Sequence, residues 1–164
     1  MTHAHDPAAA KESLRAALLE VLNRELAACE AAHRTTLDGA THAEARPENQ
    51  KDTRSLEQSY LARGQALRAV ALREAVESVR AMPLGDFRGR PVALGALVTL
   101  EDEDGLARRV WLVPDGAGAE LSEGFRALSV TSPLGRLLVG RREGDEVEAP
   151  RGGGRVTYTL AAVE

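Results

Sequence analysis

The amino-acid sequence predicts an α+β fold, in which an antiparallel two-helix coiled-coil hairpin is followed by a small antiparallel β domain with one short helix. Two observations support this prediction. The first half is rich in Ala, Leu, Glu, Gln and Arg, which are strong helix formers, whereas 13 of the 15 glycines lie in residues 83–164 among short runs of Val, Leu and Thr. Because Pro83 disfavours helical geometry at Met82, the boundary is predicted there, giving domains at 8–82 and 83–164.

The first helix is predicted over residues 9–36. An apolar residue recurs every three or four positions on one face, a spacing typical of an amphipathic helix. The residues of this stripe are Leu14, Leu18, Leu22, Leu26 and Cys29. We expect Cys29 to pack in the seam between the two helices, and we expect the run 35–39, which finishes in Gly39, to end the helix.

The second helix is predicted over residues 48–80, because Pro47 suits the first turn of a helix. Its apolar stripe changes phase near Gly64 and Ala71, so the pairing there is expected to be imperfect. The stripe contains Leu56, Tyr60, Leu67, Val70, Leu72, Val76 and Val79. Two helices of this length are expected to fold back on each other, and a helix of about 30 residues is about 45 Å long. The outer face of such a hairpin is open to solvent or to a second copy, which leaves the oligomeric state open.

The second half of the chain predicts a small sheet with one helical turn. Short apolar runs bounded by Gly, Pro, Asp or Ser are typical of strands and turns. Strands are expected at 91–101, 107–113, 128–130, 144–148 and 156–160. Ser132 is expected to cap a helical turn that begins at Pro133 and ends at Val139, before Gly140.

Composition argues against several classes of function. With 21 basic and 25 acidic side chains the net charge is −4, which argues against neutralisation of nucleic-acid phosphates as the main task. The five aromatic residues are too few for base stacking, and no run of about 18 apolar residues predicts a membrane span. The single cysteine, Cys29, excludes an intrachain disulfide and a CxxC zinc site, which favours a cytoplasmic location.

The segment 129–147 carries the most specific motif of the chain. It reads SVTSPLGRLLVGRREGDEV and closely resembles the C-terminal signature of the bacterial Gre transcript-cleavage factor family. The segment 98–105 and the final Gly-rich hairpin also match this family. The pair Glu48–Asn49 is similar to it more distantly, and the segment 52–65 looks typical of a Gre-like branch of the family.

This resemblance implies a coiled-coil hairpin joined to an FKBP-like domain. It also implies RNA polymerase as the partner, with the small domain docked on the rim of the polymerase's secondary channel and the hairpin inserted toward the 3′ end of the nascent RNA. The polymerase-binding residues that the signature implies are Ser132, Pro133, Leu134 and Gly135. The residues themselves also fit a purely structural role, in which Ser132 caps a turn and Leu134 belongs to a core.

The predicted hairpin tip carries the candidate catalytic and metal-binding residues. In family members that cut RNA, tip carboxylates help to hold a second Mg²⁺ at the active site of the polymerase, and Mg²⁺ prefers such oxygen ligands. Glu48 matches the tip Glu of the family, whereas Ala45 stands where the family has Asp, and Glu44 is the nearest replacement. Glu44 and Glu48 are therefore the candidates. The chain is expected to bind no cofactor alone and to be at most a stimulator of the polymerase's own hydrolysis.

Two other interpretations of the tip stay open. Arg46 and Lys51 place positive charge beside the acids, and this charge repels a divalent cation. Glu48 then serves only to complement the dipole of the second helix. Alternatively, the tip enters the channel and modulates or inhibits the polymerase without cleavage, which the Ala at position 45 favours.

Functions from other classes also stay open. The FKBP-like fold would suit a prolyl isomerase, but fold analogy is a weak argument and the second half offers only four aromatic residues for a pocket. A coiled-coil adaptor without a role in transcription is the other alternative. His33 and His42 flank the predicted turn and are expected to be solvent-exposed rather than metal ligands, and the acidic run 101–104 is expected to be a solvated turn.

Overall fold

The computed structural model describes residues 7–43, 51–116 and 118–164, and the side chains of 9–39, 53–116 and 118–164. It confirms the α+β class, with two long helices before a five-stranded sheet and one short helix. The elements are α1 (Pro7–Ala43), α2 (Lys51–Ala81), β1 (Leu97–Asp102), β2 (Ala107–Val113), β3 (Phe125–Ser129), α3 (Pro133–Leu138), β4 (Glu146–Arg151) and β5 (Gly154–Val163). Within these residues, neither long helix has a segment apolar enough to cross a lipid bilayer.

The chain divides by packing into two compact units. Val21–Val76 form one unit, here called the hairpin unit. Met1–Glu20 and Glu77–Glu164 form the other, here called the sheet unit, which therefore contains the sheet together with the first part of α1 and the last turn of α2. The domain limits predicted from the sequence, 8–82 and 83–164, remain a prediction.

Helix α1 continues through the segment that was expected to end it. The predicted break at 35–39 is wrong, because α1 extends to Ala43. The hydroxyls of Thr35 and Thr36 donate to the carbonyl oxygens of Ala31 and Ala32, at 3.1 and 3.0 Å, and so bond back along the helix instead of competing with it. Gly39 only weakens a helix, at a cost of about 1 kcal/mol relative to Ala.

The sheet is mixed rather than antiparallel. Its strand order is β3-β2-β1-β5-β4, and three of its four pairings are antiparallel. The prediction of a purely antiparallel sheet is wrong for β3, which runs parallel to β2 and pairs Phe125 with Arg109. Residues 114–124 supply the connection that a parallel pair needs, and the alternation of side chains along a short strand does not encode its direction.

Strand β1 is shorter than predicted because of a turn at Gly95. This residue has φ +93°, and a Cβ atom on it would lie 2.8 Å from the carbonyl oxygen of Pro83. Its N–H donates to the carbonyl oxygen of Leu112 at 2.8 Å, and its own carbonyl accepts from Trp111 Nε1 at 3.2 Å. The strand predicted from residue 91 therefore begins only at Leu97, after this turn.

The core of the sheet unit lies between the sheet and α3. Its buried residues are Val92, Ala96, Val98, Leu100, Val110, Leu112, Leu138, Val147, Ala149, Tyr158, Leu160 and Val163. Leu134 and Leu137 pack against this core with partial burial, which agrees with the structural role expected for them. The core therefore fixes α3 and the turn that precedes it.

A buried lysine connects α1 to the rest of the sheet unit. Lys11 is 1% exposed, and its Nζ donates to the carbonyl oxygen of Gly85 at 2.5 Å and to that of Glu164 at 3.0 Å. The same Nζ lies 4.8 Å from the ring centre of Phe87. Burial lowers the pKa of Lys11 to about 8, although Asp86 and Glu164 act to raise it. The residues of this contact are 74 and 153 positions apart, so the sequence does not predict it.

Candidate functional site

The turn that carries the predicted polymerase-binding residues is fixed by hydrogen bonds within the chain. Ser132 Oγ accepts from the N–H of Gly135 at 3.0 Å and donates to the carbonyl oxygen of Ser129 at 2.7 Å. Pro133 occupies the first helical position, where a missing N–H costs nothing. The predicted cap is therefore confirmed, and the helix α3 begins where the sequence placed it.

The packing of the turn explains why position 135 is a glycine. It is buried, and a Cβ atom on it would lie 2.1 Å from the backbone oxygen of Ser129, so only glycine fits there. Ser132 and Leu134 are half-buried, whereas Pro133 is exposed. The structure brings the four predicted residues together in one turn, and of these four Pro133 is the one with an exposed side chain. The assignment of the four residues to polymerase binding stays a prediction.

Exposed residues next to this turn were not singled out from the sequence. Val139 is 46% exposed, and it is followed by Arg141 and Arg142. Backbone hydrogen bonds of 2.7 Å from Val92 N to the Arg141 oxygen and 2.8 Å from Gly140 N to the Val92 oxygen hold the segment before β1 against this stretch. The two segments are about 50 residues apart in the sequence, so only the fold shows that they share a surface.

The seam of the hairpin unit follows a heptad pattern of small and polar residues. The α2 residues of this row that are buried or half-buried are Gln58, Ala62, Gln65, Ala69, Leu72 and Val76. Cys29 Sγ donates to the carbonyl oxygen of Gln65 at 3.3 Å, so the predicted place of Cys29 in the seam is confirmed. Ion pairs from Arg68 to Glu25, at 3.3 Å, and from Arg73 to Glu30 also join the antiparallel helices.

Four apolar residues of the predicted α2 stripe are not in the seam. Leu56 is 54% exposed, Tyr60 71%, Leu67 62% and Val70 47%. They lie two residues out of step with the heptad row, which places them on the opposite face of a helix that turns by about 100° per residue. The prediction that they pack against α1 is therefore wrong. The phase change near Gly64 reflects the offset between the predicted apolar stripe and the heptad row that forms the seam.

Part of the seam leaves buried acceptor atoms without partners. His33 Nδ1, Gln58 Oε1 and Gln65 Oε1 are buried and have no hydrogen-bond partner among the described residues. His33 is half-buried, so the prediction of a solvent-exposed His33 is wrong. Within the described side chains, no group of three or more His, Cys, Asp or Glu residues is placed to hold a metal ion.

The acidic hairpin turn between β1 and β2 is not solvated throughout. Asp102 is buried, and its Oδ1 accepts from the N–H groups of Asp104 and Leu106 at 3.2 and 2.9 Å. Arg151 lies 3.6 Å from the other carboxylate oxygen. The expectation of a solvated acidic run is therefore wrong for Asp102, which closes the turn, and holds for the exposed Glu101 and Glu103.

The predicted tip residues lie outside the described residues. Glu44 and Glu48 fall there, as do Ala45 and Arg46, and the side chains of His42 and Lys51 are likewise outside the described part of the chain. The assignment of Glu44 and Glu48 to catalysis and to Mg²⁺ therefore stays a prediction.

Comparisons with known proteins identify the C-terminal segment. Residues 89–164 match the family model described as transcription elongation factor, GreA/GreB, C-terminal. Transcription elongation factor GreA of Nitrobacter winogradskyi is 41% identical over 76 residues, which are 46% of this chain and 47% of that protein. GreA of Nitrobacter hamburgensis is 33% identical over 97 residues, 59% of this chain and 60% of that protein. The chain thus matches about half the length of these relatives.

Two solved structures match a larger share of the chain at lower identity. The transcription factor Gfh1 is 23% identical, with a TM-score of 0.42 over 90% of this chain and 93% of that chain. GreA factor homolog 1 of Thermus thermophilus is 21% identical, with a TM-score of 0.40 over 89% of this chain and 94% of that chain. The sequence match at residues 89–164, a little under half of the chain, shows that this segment is similar to the C-terminal part of the GreA/GreB elongation factors.

Proposed function

We propose that the chain is a transcription elongation regulator that binds RNA polymerase at its secondary channel, in the cytoplasm. The small β domain docks on the channel rim, and the hairpin tip reaches toward the active site and the 3′ end of the nascent RNA. The observation that carries this proposal is the turn at Ser132–Gly135, which lies inside the matched family segment and presents an exposed Pro133.

The helices support the reach that this proposal needs. Helix α1 has 37 residues and α2 has 31, so they are about 55 and 45 Å long at 1.5 Å per residue. Antiparallel pairing is held by the contact of Cys29 with Gln65 and by ion pairs such as Arg68 with Glu25. Helices of this length are sufficient for the reach that the proposal requires.

The tip has two candidate activities. In the first, Glu44 and Glu48 supply oxygen ligands to the Mg²⁺ of the polymerase and so assist hydrolysis of backtracked RNA. In the second, the tip modulates or inhibits the polymerase without cleavage. The second is favoured by a specific observation, since Ala45 has no carboxylate where the family has Asp and Arg46 adds a positive charge. In both, the chain has no complete active site of its own.

A prolyl isomerase is disfavoured by the four aromatic residues of the second half. Trp111 and Tyr158 are buried, with 0% and 2% exposure. Phe125 is buried as well and lies beneath Arg109, whose guanidinium is 4.0 Å from the ring centre. Phe87 lies close to Lys11 and Arg90. Three of the four rings are buried and only Phe87 is partly exposed, so the second half has no group of exposed rings to line a proline pocket. A protease-coupled peptide assay should therefore show no isomerisation.

The test uses stalled, backtracked elongation complexes with labelled RNA. If the tip assists cleavage, short 3′ fragments appear with the wild-type chain and fall by about tenfold or more in the Glu48→Ala variant, since a metal ligand has been removed. Glu57→Ala, which removes an exposed acid from α2, is the matched control and should cleave like wild type. Unchanged RNA with altered elongation rates assigns the second activity. Failure of the folded chain to bind polymerase would contradict the proposal as a whole.

A further inference from the structure

One face of α2 in the hairpin unit carries a row of exposed side chains, four of them apolar. Because a helix turns by about 100° per residue, the members of this row fall within about 80° of the helix surface. They are spaced alternately four and three residues apart, which is the heptad spacing of a helix that packs against another helix. The row, here called the outer stripe, consists of Leu56, Tyr60, Arg63, Leu67, Val70 and Glu74.

The outer stripe is separate from the seam with α1. Seam residues of α2 such as Ala69 and Val76 are buried and lie about half a helical turn away from the stripe. Two charged side chains between the rows, Arg68 and Arg73, form ion pairs with acids of α1. Helix α2 therefore has two heptad rows, and α1 covers one of them.

The two charged members of the outer stripe have opposite signs. Arg63 and Glu74 are exposed, and their side chains form no ion pair among the described residues. In a parallel pair of two such helices, each of these residues would lie opposite its own copy, and like charges that face each other are destabilising. In an antiparallel pair, Arg63 of each helix can instead lie opposite Glu74 of the other. The charges therefore favour the antiparallel arrangement.

The same antiparallel register brings apolar side chains together. When Arg63 lies opposite Glu74 of a second helix, Leu67 lies opposite Val70 of that helix, because both pairs are centred between residues 68 and 69. The middle of the contact is then apolar, with an Arg–Glu pair on each side. Four positions that flank the stripe carry small uncharged residues, which let two helices approach closely. These are Ser59, Gly64, Ala66 and Ala71.

We propose that the outer stripe binds a second copy of this chain, so that the α2 helices of the two chains pack antiparallel across a two-fold axis. Such an axis makes every contact occur twice, and it therefore requires one surface that is complementary to itself. The outer stripe meets this requirement, since it carries both charges of the pair and both apolar residues of the middle. This self-association goes beyond the proposed function and does not depend on it.

A second copy fits the outer stripe better than a lipid surface does. Helices that lie on membranes place Lys and Arg on their polar face, where these residues bind anionic lipids. In α2 the charges of the stripe have both signs and lie within the apolar row itself. The net charge of the chain, −4, also opposes attraction to an anionic surface.

The contact is expected to be weak. The outer stripe extends from Leu56 to Glu74, which is about 27 Å of helix at 1.5 Å per residue. A single pair of helices of this length is expected to bury less than the area of about 1,200 Å² at which specific stable interfaces begin. We therefore expect a dissociation constant of about 10–100 µM for the dimer.

Sedimentation equilibrium of the full chain, at about 1–500 µM protein, tests this proposal through an exchange of charges. Arg63→Glu and Glu74→Arg each place like charges opposite each other at both pairs, so each should weaken the dimer about tenfold or more. The variant with both substitutions restores the two pairs with their signs exchanged and should return to within about threefold of wild type.

Two further variants separate the outer stripe from general effects of charge and folding. Arg34→Glu makes the same charge change at an exposed position of α1 and should associate like wild type. Leu67→Gln removes an apolar side chain from the middle of the contact and should weaken the dimer about tenfold. Thermal unfolding of all variants should match wild type within a few degrees, since the substituted side chains are exposed.

Three outcomes would overturn the inference. The first is a wild-type chain that stays monomeric up to about 500 µM. The second is a dimer in which the Arg63→Glu and Glu74→Arg variants associate as well as Arg34→Glu, or in which the double substitution does not restore association, because the contact would then use another surface or register. The third is a monomeric wild type that sediments with vesicles of phosphatidylcholine and phosphatidylglycerol, which would assign the stripe to lipid. Since polymerase is absent from these measurements, none of the outcomes decides the proposed function.

Discussion

The sheet unit and the hairpin unit differ in whether their buried polar groups are hydrogen-bonded. In the sheet unit, Lys11, Asp102 and Ser129 are buried and each is hydrogen-bonded to the backbone. In the hairpin unit, buried acceptor atoms of residues such as Gln58 and Gln65 have no partner among the described residues. An unsatisfied buried acceptor costs about 1–3 kcal/mol of folding free energy. The seam of the hairpin unit therefore has a destabilising contribution that the buried polar groups of the sheet unit do not have.

The apolar residues of the sheet unit are also more completely buried than those of the hairpin unit. Leu100, Leu112 and Leu160 in the sheet unit are completely buried, whereas Tyr60 and Leu67 in the hairpin unit are more than half exposed. Burial of apolar surface is the main favourable term in folding, so most of it is contributed by the sheet unit. The well-packed sheet unit thus contains the segment that matches the GreA/GreB model, and the hairpin unit contains most of the two long helices.

The largest effect is expected from Gly135→Ala in the sheet unit. The added Cβ would lie 2.1 Å from the backbone oxygen of Ser129, and neither backbone segment can yield without disturbing the Ser132 cap. We expect the free energy of unfolding to fall by about 2–3 kcal/mol. Urea denaturation measures this change, and a loss below about 0.5 kcal/mol would show that the turn can rearrange.

The second effect tests the buried lysine. The pKa of Lys11 is about 8 in the folded chain and about 10.5 when unfolded, so between these values the unfolded chain binds more protons. The Lys11 contribution to stability therefore increases as the pH rises from about 8 to 10.5, by at most about 3 kcal/mol, since one pKa unit corresponds to about 1.4 kcal/mol.

Urea denaturation at several pH values in this window checks the sign. Lys11→Met should abolish the Lys11-dependent rise. Lys51→Met, at the other lysine of the chain, is the matched control and should retain it. A rise of equal size in all three proteins would assign the effect to other groups.

Local chemistry made the α3 turn predictable, because its determinants are neighbours in the sequence. Ser is favoured as a helix N-cap and Pro at the first helical position, so Ser132 before Pro133 predicts a capped turn, and the structure has that cap. The two long helices were predictable for a similar reason, since strong helix formers fill both segments. The exact end of α1 was not, because the hydroxyl of Thr36 donates to the carbonyl oxygen of Ala32 within the helix and so does not end it.

Features that depend on distant residues were not predictable. The seam of α2 uses Ala62 and Gln65, so a search for large apolar residues selected the opposite face, with Leu67. The direction of β3 depends on the path of the connection that precedes it, not on the strand itself. The burial of Lys11 against Gly85 and the contact of Arg142 with Gly89 each require segments about 50 residues or more apart to meet.

The smallest effect is expected from Gly64→Ala, which repeats in the hairpin unit the glycine-to-alanine substitution proposed for the sheet unit. Gly64 lies inside α2, and a Cβ atom on it would meet no other atom within 4 Å. Gly64→Ala should therefore stabilise the chain by about 0.5–1 kcal/mol, since alanine loses less backbone entropy in a helix. Urea denaturation measures the gain, with hydrogen exchange of α2 amides as a local measure. If Gly64→Ala instead destabilised the chain as Gly135→Ala does, the outer face of α2 would be packed rather than open, and the contrast between the two units would fail.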